Sequence, residues 1–213
     1  MKKLALASVL ALASLSAQAA GIAGLNSTGS GFAAGAQDTH YALSSSTTEV
    51  GPYGYVASNN SFPIGPWVSN TATSAWLTPT ASQSQSFDPS TNGIYTWTTT
   101  FDLTGFNAKT ASFSGQFAAD NSAVAYLNGH IIGTSNTYAS WSALTATSSD
   151  FVSGVNTLSF VVTNLALNGG NPTGLQVNFT ASNVSAVPEP GTYVMLITGL
   201  GLMGFMLRSK KSA

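Results

Sequence analysis

From Ile94 to Leu103 the chain reads IYTWTTTFDL, and every second residue (Tyr95, Trp97, Thr99, Phe101, Leu103) falls on one face. A period of two is what a half-buried strand requires, because successive side chains point to opposite sides of the pleat. The same alternation returns in Phe113 to Phe117, in Thr157 to Thr163 and in Gly174 to Ala181, where Leu175, Val177 and Phe179 face inward. Between these runs stand turn residues. Ser122 to Gly133 reads SAVAYLNGHIIG, and Asn128-Gly129 between apolar pieces predicts a two-residue hairpin, since a type I′ turn needs two residues at positive φ. Ala118-Ala119-Asp120-Asn121 reads as a turn.

The earlier half is less regular. Ala20 to Thr48 is the least structured part, with one strand over Asp38 to Leu43 that puts Tyr41 and Leu43 on one face. Gly51 to Gly54 is a turn before a short strand at Tyr55 to Ala57. Asn59 to Pro79 holds Pro63, Pro66 and Pro79, a density that rules out a long helix. Trp67 and Trp76 there, and Trp97 later, read as core anchors. Eight or more short strands with Gly, Asn and Pro turns between them predict an all-β sandwich or barrel over 20–183, with Ser182 to Val187 as a linker. There is no cysteine, so hydrophobic burial must hold the fold without disulfides. A body of roughly 165 residues is long enough for that.

Both ends of the chain are of another kind. Met1 to Ala20 reads MKKLALASVLALASLSAQAA: Lys2 and Lys3, an apolar stretch from Leu4 to Leu15, then Ala17-Gln18-Ala19 in a small-x-small cleavage pattern. Residues 1–19 are read as a signal peptide cut after Ala19, with Ala20 as the alternative, so the chain is exported. At the other end, Val187-Pro188-Glu189-Pro190 precedes an uncharged run and then Arg208, Lys210 and Lys211. The apolar residues of that run go all the way round a helix, unlike the single stripe of a soluble one. Residues 192–207 are read as a transmembrane helix at the short limit for a bilayer, and the basic tail 208–211 stays cytoplasmic.

These C-terminal residues carry a resemblance. Val187 to Pro190, Gly199-Leu200 and Arg208 to Lys211, in that order, resemble the PEP-CTERM sorting signal of Gram-negative bacteria that make exopolysaccharide; Ser209 and the trailing Ser212-Ala213 are a mild departure. The resemblance assigns 184–213 as the sorting signal. It implies an exosortase substrate, anchored transiently in the inner membrane and then placed at the cell surface or outside. Pro188, Glu189 and Pro190 are then acted upon. Thr96 to Phe179 is also similar to galactose-binding-like jelly-roll domains, most clearly over Asp120 to Gly129 and Gly154 to Asn164. That similarity implies two packed antiparallel sheets, and such domains often bind glycans at loops on one end.

Charge excludes one class of partner. Lys109 is the single cation between the two ends, against Asp38, Glu49, Asp88, Asp102, Asp120 and Asp150. A body of formal charge −5 cannot release counterions from a nucleic-acid backbone. An anionic lipid surface is a poor partner for the same reason.

Side chains able to carry chemistry are few and scattered. His40 and His130 stand far apart and outside any zinc spacing, and no G-x-S-x-G elbow supports a serine nucleophile. Six scattered acids give no pair for glycoside hydrolysis. No catalytic residue is assigned and no cofactor is expected. Asp120 and Asn121 are the best calcium candidates by ligand type. Trp141, among Ser140, Ser142 and Thr145, is the candidate for stacking on a sugar ring. The resulting expectation is a non-catalytic body associated with exopolysaccharide or biofilm matrix, possessing a glycan-binding face. A structural or adhesion protein that binds other proteins is the alternative, and a secreted hydrolase comes third.

Overall fold

The computed structural model describes residues 19–187 and 197–203. Leu4 to Leu15, Ala17, Pro188, Glu189, Pro190, Arg208, Lys210, Lys211 and most of 192–207 lie outside the described residues. Residues 197–203 are helical. No helix among the described residues is long and apolar enough to cross a membrane.

The body is all-β. Its strands are β1 (Ala19–Ala20), β2 (Gln37–Ser45), β3 (Tyr53–Val56), β4 (Leu77–Thr78), β5 (Gly93–Asp102), β6 (Phe106–Asp120), β7 (Ser122–Leu127), β8 (His130–Ser135), β9 (Ser142–Ala146), β10 (Val155–Asn164) and β11 (Gly174–Ala186). They form one antiparallel path, β8-β7-β10-β5-β2-β3-β4-β11-β6-β9, with β1 added to β11. The path doubles back at the short β4, which pairs with β3 at two positions and with β11 at one. Its two halves therefore face each other as a sandwich. The far edges also meet: Ser142 on β9 donates to Ser135 on β8 at 3.0 Å. The sheet is nearly closed, which leaves little free edge for another chain to pair with.

The core lies between the two halves. Tyr95, Trp97 and Phe101 of β5, with Leu103 just beyond it, are buried, as the alternation requires. Phe117 of β6 meets Phe160 of β10 across the sandwich at 5.6 Å between ring centroids. Gly54 shows why a side chain can be forbidden in a strand: a Cβ there would stand 2.3 Å from the Trp97 ring. The predicted hairpin is present, with Asn128 and Gly129 at φ 52° and 86° and Leu127 paired to His130.

Three expectations are corrected. Ala118, Ala119 and Asp120 are not a turn: they are buried strand, and Asn121 alone separates β6 from β7. All three are buried because each face has a cover, the sandwich core on one and a tryptophan cluster on the other. Ser182 to Ala186 is strand, not linker, because β6 continues beside it: Ser185 pairs with Asn107 and Ala186 with Phe106. Finally, the start of the body is not loose. The Ile22 amide donates to Ser182 Oγ at 3.0 Å, the Phe179 amide to Ser27 Oγ at 3.0 Å, and the Thr28 amide to the Val177 carbonyl at 3.1 Å. The Gly- and Ser-rich segment 21–30 thus satisfies backbone groups along the edge of β11 that β6 leaves open.

A tryptophan-covered outer face as candidate functional site

Trp67 and Trp76 are core residues, but of a second, smaller core outside the sandwich. The segment from Ala57 to Trp76 folds over the outer face of β6, where Ala57, Trp67, Trp76 and Ala118 are buried together. The two indoles lie 4.2 Å apart at 35°. Each indole N–H is satisfied: Trp76 Nε1 donates to the Val68 carbonyl at 2.7 Å, and Trp67 Nε1 to Asp120 Oδ2 at 2.8 Å. Tyr138 and Trp141, both half-buried, pack against this cluster.

Register shows what else shares that face. Ala143 pairs with Gln116, and Gln116 with Asn178; Thr145 pairs with Ser114. Trp141 is two residues before Ala143 and four before Thr145, so all lie on the side opposite Phe117. Trp141 therefore flanks a row of uncharged hydrogen-bonding side chains: Gln116, Asn178, Ser114 and Thr145. Thr73 donates to Asn178 Oδ1 at 2.9 Å. The amide N–H pair of Asn178 has no partner among the described residues. Thr73 also lines an open groove of about 470 Å³, walled by Gly29 to Phe32 and Asn70 to Ala75 and bearing no charged side chain. Trp141 was legible in the sequence as a tryptophan among polar neighbours. Gln116 and Asn178 carry no such local signal; only their place one residue from the inward-facing Phe117 and Val177 marks them as outward-facing.

Asp120 and Asn121 are adjacent but directed to different partners. Asp120 Oδ2 takes the Trp67 indole, while Asn121 Oδ1 accepts the Leu165 amide at 2.7 Å. Asp120 Oδ1 is buried without a partner. Burial pushes the carboxyl up to about 6 against the opposing pull of the indole N–H. No group of three or more His, Asp or Glu side chains that could hold a metal occurs among the described residues.

The histidines remain apart. His40 Nδ1 lies 3.1 Å from Asp38 Oδ1, a contact without hydrogen-bond alignment, and exposed His130 lies 3.9 Å from Asp150. Neither receives a serine or threonine hydroxyl among the described residues. Asp88 is a buried carboxylate with three side-chain donors: it accepts from Tyr95 Oη at 2.9 Å, Asn164 Nδ2 at 2.8 Å and Thr47 Oγ1 at 2.7 Å. All three are protein groups, so its role is structural.

Comparison with known proteins adds the following. Residues 186–211 match the family described as "PEP-CTERM protein-sorting motif". The chain is therefore an all-β protein that carries a PEP-CTERM sorting motif at its C-terminal end. No curated protein matches it. Among solved structures, it is similar to a CBM35 from Paenibacillus barcinonensis, with 16% identity over 68% of this chain and 97% of that one, at a TM-score of 0.29. It is also similar to a family 11 carbohydrate-binding module from Clostridium thermocellum, in complex with a β-1,3-1,4-mixed-linked tetrasaccharide. That match has 10% identity over 72% and 89% of the two chains, at a TM-score of 0.27. Superposition at that level carries no argument about ligand or site.

Proposed function

We propose that this is an exported protein, processed by exosortase at Pro188-Glu189-Pro190, whose non-catalytic β-sandwich works at the cell surface or in the extracellular polysaccharide matrix. The sorting half rests on the motif matched at 186–211. A leader over 1–19 and a spanning segment over 192–207 belong to the same reading. Mass spectrometry of the protein from cells with exosortase should give an N-terminus at Ala20 and a C-terminus at or near the Pro-Glu-Pro motif. Cells lacking the enzyme should keep the tail. A chain ending at Ala213 in both strains would end this reading.

The sandwich, we propose, binds glycan through the face that carries Trp141. The observation behind this is the half-buried indole beside uncharged amides and hydroxyls. An aromatic face gives a sugar ring apolar contact, and neutral donors and acceptors match its hydroxyls. Trp141→Ala should weaken binding to a retained polysaccharide at least tenfold, while Ser149→Ala, on an exposed loop, leaves it unchanged. Equal retention of Trp141→Ala and the parent protein would remove Trp141 from the site. Binding to other proteins is the second reading; self-association in the absence of polysaccharide would favour it.

A further inference from the structure

We infer that, before its tail is cut, the body is held end-on to the membrane, with the β5–β6 turn facing lipid and the tryptophan cluster at the far end of the strands. This rests on the export-and-sorting reading above. The observation is where the chain leaves the sheet. Ala19 pairs with Ser185 and Ala20 with Val184, antiparallel. The residues before Ala19 and those after Ser185 must then depart from the same end of the body. That end is well defined. The Val187 amide donates to the Gly105 carbonyl at 2.9 Å, the Leu103 amide to the Gly154 carbonyl at 2.8 Å, and Asn128 Nδ2 to the Asp150 carbonyl at 2.9 Å. The β5–β6 turn, the β7–β8 hairpin and the β9–β10 loop therefore gather around the point of departure.

Both departing segments lead into apolar sequence after very few residues. Three residues, 16–18, separate Ala19 from the stretch ending at Leu15, and four, 188–191, separate Val187 from the run over 192–207. Fully extended, four residues reach at most about 14 Å. The opposite end is much farther off, since a strand of the length of β6 spans roughly 50 Å. There Gly174 pairs with Asp120, Trp67 holds Asp120, and Trp141 precedes a strand that begins opposite Phe117. Exposed apolar side chains occur at both ends, Val152 and Val155 at one and Leu165 and Leu167 at the other, so they do not choose between them. Charge does not choose either: Asp102 and Asp150 lie near the departing chain with Lys109. The covalent ties decide. Removal of the leader after Ala19 cuts one tie and leaves the other at the same end, so the orientation outlasts it.

The chain has no cysteine, which makes the test direct. Ser153→Cys, in the β9–β10 loop, and Ser90→Cys, before β5, are both exposed and lie at opposite ends. Each full-length variant is labelled with a fluorophore and reconstituted into phosphatidylethanolamine and phosphatidylglycerol vesicles that carry a headgroup spin label. Quenching should be severalfold stronger at residue 153 than at residue 90, and the order should persist in a chain starting at Ala20. Equal or reversed quenching in protein that floats with the vesicles overturns the orientation alone. Protein that does not float at all overturns the membrane-sorting reading, and the orientation with it.

Discussion

Asp88→Ala should cost about 4 kcal/mol of stability, read as a fall in the guanidinium midpoint of the full chain with the slope unchanged. The carboxylate is buried and accepts three donors from three places: Thr47 after β2, Tyr95 in β5 and Asn164 at the end of β10. Truncation leaves Tyr95 Oη and Asn164 Nδ2 without their acceptor in a region from which water is excluded, and each such group costs roughly 1–3 kcal/mol. The Tyr95 hydroxyl, pushed up to about 12 mainly by its burial, cannot escape by ionising at neutral pH. Backbone adds to the loss. Asp88 sits at φ 53°, a conformation that Asp and Asn tolerate and Ala does not, at roughly 1 kcal/mol. Asp88→Asn separates the two effects: it keeps the backbone preference and one acceptor oxygen, so it should lose about half as much. A drop below about 1 kcal/mol for Asp88→Ala would mean that the three strands hold their places without this hub.

Asp88 also shows where local pattern gives way to contacts between distant segments. Alternation is local, so β5, β10 and the first part of β11 could be read from spacing alone, and Asn128-Gly129 located a hairpin. What could not be read depends on groups distant in sequence. Asn164 lies 76 residues from Asp88 and is drawn to it only once β5 and β10 have paired. Ala118 to Asn121 resembles a turn because two alanines, an acid and an amide carry no apolar alternation; the apolar cover for that face comes from Trp67, 53 residues earlier than Asp120. The strand character of Ser182 to Ala186 was hidden for the same reason, since small polar residues become strand there by pairing with β6 and β1. Trp141 could be singled out as an indole among hydroxyls, but its companions Gln116 and Asn178 required the register.

Asp120→Asn should stabilise the protein at neutral pH by about 2–3 kcal/mol, an unusual sign for a buried position. The Asp120 carboxyl is pushed from its ordinary 3.8 up to about 6, chiefly because burial penalises the charge. The folded chain therefore binds the proton more tightly than the unfolded one. That contribution is fully present below about pH 3.8, is lost as the pH rises toward 6 and is absent above it. Two units correspond to about 3 kcal/mol. Asn removes the charge and keeps an oxygen for the Trp67 indole N–H, so the two proteins should be similar near pH 4 and diverge by pH 7.5. Thermal melts across that range would show it as a slope present in the parent and reduced in the variant. The opposite result would be informative about the orphaned Oδ1. If the parent is the more stable at pH 7.5, something compensates the carboxylate there, and repeating the melts with calcium and then with chelator tells whether that something is a cation. A parent that chelator destabilises and Asp120→Asn leaves indifferent would restore Asp120 as a calcium ligand. A parent indifferent to both leaves the indole N–H as the partner that keeps a costly acid beneath the tryptophans.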